Sequence, residues 1–112
     1  MMQEQDIVIV MTNAPDLLLA KRIAHLLIEE KLAACVNIGP AMLSVYGWNG
    51  EVEGADEIPL LIKTTVTKQQ AMIERLVSLH PYEIPEAIVI PVLGGYTPYL
   101  NWVRSLTCES QP

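Results

Sequence analysis

Asn49-Gly50 is the tightest constraint this chain places on its own fold. Both central residues of a type I′ turn need positive φ, which Asn and Gly tolerate best, so the pair predicts a tight hairpin from the run ending at Trp48 into Val52 and onward to Thr65. The fourteen residues from Val52 to Thr65 extend roughly 45 Å at about 3.3 Å each. A body of this length is only about 35 Å across, so the ribbon tip is expected to overhang it. An isolated two-stranded ribbon is marginal in water, and pairing with a neighbouring subunit is the expected outcome.

The elements around the hairpin follow from periodicity. Ile7 to Met11 is an unbroken apolar run and predicts a strand buried on both faces. Asn13 is the expected cap of a helix with Asp16 at its third position, and Ala20, Ile23, Ala24 and Leu27 make its inward stripe up to about Lys31. Leu32 to Ile38 predicts a second strand, interrupted by Gly39-Pro40, with pairing resumed from Met42 to Trp48. Pro59 points to an edge position or a bulge. Thr67 and Gln70 have capping-box spacing and predict a second helix with Ile73, Leu76 and Val77 inward and Pro81 as its stop. Glu86 to Val92 is the fourth expected strand. Thr97 and Pro98 then begin a short helix carrying Tyr99, Trp102, Val103 and Leu106 on one side.

The order β-α-β-β-α-β plus a short C-terminal helix is that of an α+β ferredoxin-like split βαβ sandwich with a long β-hairpin, in one domain spanning 1–112 with its core at about 7–106. Such a fold keeps both main helices on one sheet face. Ile7 to Met11 and Ala87 to Val92 are apolar on both faces, so something outside the monomer is expected to cover the second. Composition agrees: 51% of the residues are hydrophobic and mean hydropathy is +0.30, which favours self-association.

The remaining composition narrows the function classes. A net charge of -6 repels phosphate backbones and anionic membranes, while cations are welcome. The longest apolar stretches are too short for a membrane span, and the acidic start at Met1 to Asp6 lacks a signal-peptide pattern, so a cytoplasmic location is expected. Cys35 and Cys108 form no Cys-x-x-Cys pair. Cys35 reads as an unreactive strand residue and Cys108 as the accessible thiol. His25 reads as a surface residue. No nucleophile-base spacing or phosphate loop is present, so no enzyme is expected; Gly94-Gly95 reads as a turn.

Leu32-Ala33-Ala34-Cys35-Val36-Asn37, Tyr46-Gly47-Trp48-Asn49-Gly50, Glu57 with Lys63-Thr64, His80-Pro81-Tyr82-Glu83-Ile84-Pro85-Glu86 and Tyr99-Leu100-Asn101-Trp102 together resemble the CutA divalent-ion tolerance proteins, from about residue 7 to 106. The resemblance implies a homotrimer associated with tolerance of, response to and binding of metal ions, copper above all. It implies no cofactor beyond copper or another divalent cation. It also implies the competing role of a trimeric small-molecule sensor or interaction scaffold similar to nitrogen-regulatory signal proteins. Where members bind copper, a Cys closing the first strand and a His pair before Pro-Tyr are the ligand types. Here Met11 and Leu79 stand at two of those positions, leaving His80 and Met11 as candidate metal ligands.

Tyr46, Trp48, Tyr82, Tyr99 and Trp102 are candidates to line a cleft or a subunit interface. Glu57 and Lys63, six residues apart on one strand face, are expected to meet a partner or ligand, or to form a structural ion pair near a subunit boundary.

Overall fold

In the computed structural model residues 2–108 are described; the ends of the expected 1–112 domain, Met1 and residues 109–112, lie outside the described residues. The chain runs β1 (Ile7–Ala14), α1 (Leu17–Glu29), β2 (Cys35–Ile38), β3 (Met42–Trp48), β4 (Glu51–Thr65), α2 (Val66–Leu79), β5 (Ile88–Pro91) and α3 (Thr97–Thr107). It is an α+β fold with one antiparallel sheet of order β2-β4-β1-β5, to which β3 adds along the far half of β4.

The hairpin forms as its dipeptide demands. Asn49 has φ 51° and Gly50 φ 79°, and Trp48 faces Glu51 across the turn. Beyond it β4 continues for 15 residues and pairs with three strands in turn, which accounts for a molecule 49 Å along its longest axis and 28 by 22 Å across the others. Pro59 is not on an edge strand: it lies inside β4, opposite Asn13. Its carbonyl accepts the Gly39 N–H at 3.0 Å, so the donor it lacks would point to the break between β2 and β3, where no ladder bond is lost.

Alternation on β1 and β4 sorts the sheet into two faces. Val10 and Ala14, with Leu60 and Ile62, pack under Ala20, Ile23 and Leu27 of α1 and Met72 and Leu76 of α2. Each fully buried Val, Leu, Ile or Met there contributes about 1.5–3 kcal/mol relative to exposure. Thr12 shares this face, and its hydroxyl is buried without a hydrogen-bond partner, a local cost inside an otherwise apolar layer. Residues 7, 9, 11 and 13 point to the opposite face.

That opposite face is partly covered from within the chain, which the sequence pattern did not foresee. Val103 of α3 joins Ile7, Ala34, Val92 and Leu100 in a second, smaller cluster. The cover stops there. Leu61, Ile88 and Ile90 remain exposed on the same side, Ile88 with 53% of its surface.

Several boundaries depart from the sequence pattern. Asn13 is not a cap, because pairing of β1 with β4 continues through Ala14 opposite Ile58; Asp16 caps α1 instead, its Oδ1 accepting the Leu19 N–H at 2.8 Å. Ala24 is half-buried rather than core. Thr67 does not cap α2, which starts at Val66, since its hydroxyl donates to the Glu4 carbonyl at 2.9 Å. On α2 Met72 is buried, whereas Val77 is exposed. The last strand covers only Ile88–Pro91, the stretch that finds partners on β1. Tyr99, Trp102 and Leu106 of α3 are exposed; its inward residues are Val103 and Thr107.

Candidate functional site: an acid-lined groove beside the ribbon

Period-two alternation places Ser44, Tyr46 and Trp48 of β3 beside Ala55, Glu53 and Glu57 of β4 on one face of the ribbon. The segment after α2 folds over this face. Pro81 ends the helix, and Tyr82, Glu83, Ile84 and Glu86 form the opposite wall. Between ribbon and wall lies a groove of about 640 Å³, closed at its inner end by Asn13.

His80 holds the wall from behind. It is buried at the C-terminus of α2, and its Nδ1 accepts the Tyr82 N–H at 3.2 Å. That bond leaves Nε2 as the protonated nitrogen, which donates to the Asn13 carbonyl at 2.6 Å. The imidazole also packs edge-on against the Tyr82 ring, 4.5 Å between centroids. The Tyr82 hydroxyl then donates to Glu57 Oε2 at 3.0 Å, and Asn13 Nδ2 donates to Glu86 Oε1 at 3.2 Å. Two hydrogen-bonded arms from one neutral histidine thus fix two of the groove's carboxylates.

Burial, then the hydrogen bond to Glu57 and the negative charge of that carboxylate, push the Tyr82 hydroxyl up to about 12. Tyr82 therefore remains a donor to Glu57 throughout the physiological range. Four carboxylates and three aromatic rings line the groove, a combination suited to a positively charged, partly apolar occupant.

The sequence candidates fall into two clusters. Tyr46, Trp48, Glu57 and Tyr82 meet in the groove. Lys63, Tyr99 and Trp102 meet elsewhere: the Lys63 ammonium lies 5.8 Å from the centre of the Tyr99 ring, which is 5.5 Å from Trp102. Glu57 and Lys63 do not pair within the chain, because six residues of strand separate them by roughly 20 Å. Asn13, Glu53 and Glu86 were not picked out from the sequence as groove residues. The alternation that puts Glu57 on this face also carries Glu53, whereas Asn13 and Glu86 are joined only by the fold.

Met11 lies on the second sheet face opposite Leu61 and Ile88, two residues before Asn13. Within one chain these donors do not make a metal centre. Both His80 nitrogens are engaged, and among the described residues no three of His, Cys, Asp and Glu group closely enough to hold an ion. Cys35 is half-buried beside Lys63, Cys108 is exposed, and both are free thiols. No helix among the described residues is long and apolar enough to cross a membrane.

The profile of the CutA1 divalent ion tolerance proteins matches residues 8–106. The divalent-cation tolerance protein CutA of Escherichia coli O81 is 45% identical over 98 residues, covering 88% of each chain. The crystal structure of CutA from Xylella fastidiosa superposes with a TM-score of 0.90 at 42% identity, covering 92% of this chain and 99% of that one. A protein described as the periplasmic divalent cation tolerance protein CutA of Archaeoglobus fulgidus superposes with a TM-score of 0.88 at 34% identity, covering 90% and 98%. With sequence and fold matching over the same span, the chain belongs to the CutA1 divalent ion tolerance family.

Proposed function

We propose that this chain, a single ferredoxin-like domain, serves divalent-cation tolerance as a homotrimer that meets metal ions, copper among them, with donors from more than one subunit. The observation that carries the reading is the uncovered half of the sheet: Leu61, Ile88 and Ile90 stay exposed where α3 ends, beside a ribbon that projects from the body. Family membership supports the tolerance role, and the acid-lined groove supports attraction of cations.

This chain's share of a metal site is Met11 and His80, a soft thioether and an imidazole. For His80 to coordinate, it must release the Asn13 carbonyl or the Tyr82 amide, so a neighbouring subunit has to supply donors that offset that loss. A cytoplasmic location belongs to the same proposal, and the periplasmic description of the Archaeoglobus relative makes cell fractionation its direct check.

Calorimetric titration of the assembled protein with Cu(II) and with Cu(I) tests metal handling. Binding tighter than millimolar is expected, weakened by His80→Ala and unchanged by His25→Ala. Absence of binding by the wild-type assembly, or equal loss in both variants, overturns the role of His80.

A further inference from the structure

Glu57 and Lys63 are oppositely charged residues that share a strand face and cannot meet inside the chain. Only 9% of the Glu57 surface is exposed. Its hydrogen-bond partner is the Tyr82 hydroxyl, a neutral donor, and no basic group among the described residues forms an ion pair with it. A carboxylate withdrawn from water this far is costly until a cation joins it. Lys63 is likewise unmatched: the residue is half-buried, and its ammonium lies over the Tyr99 ring and meets no carboxylate among the described residues.

The surroundings match as well as the charges. The groove around Glu57 offers carboxylates and aromatic walls open to an occupant, and the Lys63 platform offers one ammonium set beside the tilted Tyr99–Trp102 pair. An ammonium flanked by aromatic rings is the chemistry such a groove accepts. A second copy of this chain carries that group, and both surfaces lie at different places along one face of β4. Contact between unlike surfaces of identical chains is head to tail, and it repeats until it closes into a ring or grows into a filament.

We infer that the groove is completed by a second copy of this chain, whose Lys63 enters beside Tyr82 and pairs with Glu57, so that the site lacks its cation until subunits assemble. The inference rests on the assembly proposed above and specifies which residues meet in it. Each subunit then donates Lys63 to one neighbour and receives Lys63 from the other. Tyr82, held by His80, orients the receiving carboxylate, and the Tyr99 and Trp102 rings close the groove mouth against water.

Charge reversal with sedimentation across a dilution series tests the pairing. Glu57→Lys and Lys63→Glu each place like charges in contact and are expected to weaken association at least tenfold, on the order of losses for buried interfacial charge pairs. The double variant restores opposite charges with the direction reversed and is expected to return to within about threefold of wild type. Zero-length carbodiimide cross-linking of the wild-type protein gives a readout independent of whether the variants fold. An isopeptide between Glu57 and Lys63 of different chains is expected, and Glu57→Gln removes it. A wild-type protein that assembles but shows neither rescue nor that cross-link overturns the pairing alone. A wild-type protein that stays monomeric overturns the assembly with it.

Discussion

The two ends of β4 are one strand with opposite circumstances. From Leu60 to Lys63 it lies between β1 and β2, with Leu60 and Ile62 fully buried. From Glu51 to Asp56 it has β3 alone for company, and Val52 exposes 81% of its surface. Backbone pairing is continuous across both halves. The inner half is held by side chains of its own chain, whereas the outer half has a ladder and no core, so its apolar residues are available to another molecule. Local propensity therefore makes the strand, and burial decides which part of it the monomer stabilises.

Substitutions should separate the halves. Ile62→Ala opens a cavity under the helices and is expected to cost about 3 kcal/mol in urea unfolding. Val52→Ala on the ribbon should instead weaken association while leaving far-UV circular dichroism unchanged. Equal effects on unfolding would erase the distinction.

Next in size is the turn. Gly50 sits at φ 79° with no atom within 4 Å of where a Cβ would stand, so Gly50→Val meets backbone strain rather than a clash. About 1–2 kcal/mol is expected from forcing a β-branched residue into that region. A neutral result in thermal unfolding would mean that the ribbon tip adds nothing to stability.

The smallest effect is electrostatic and confined to alkaline pH. With its folded pKa raised from 10.0 to about 12, Tyr82 keeps its proton where an unfolded chain would release it. The stability linked to this group is complete below pH 10 and is lost as pH rises towards 12. Tyr82→Phe should flatten that part of the stability-pH curve. An unchanged slope would place the alkaline sensitivity elsewhere.

How much of this was legible in the sequence differs in the same way between the two regions. Asn49-Gly50 and Gly39-Pro40 act through their own backbones, and both left their mark where expected: a turn with two positive φ angles and a break between β2 and β3. Pro59 was harder to place because its tolerance depends on what its neighbour lacks: the missing N–H faces the gap at Gly39. Asn13 looked like a cap until strand pairing extended past it, and Thr67 bonds to Glu4, which is 63 residues away. The groove was half visible. Its aromatic residues and Glu57 could be picked out one by one, but their separation from Lys63, Tyr99 and Trp102 depends on strand length, and the role of His80 depends on a bond to Asn13 across 67 residues.

The central claim is that the uncovered half of this molecule is a subunit surface, and the mass in solution tests it most directly. Multi-angle light scattering on the wild-type protein is predicted to give about 37 kDa, as a closed ring of three requires, against 12.4 kDa for one chain. A stable monomer at 12.4 kDa would contradict the account.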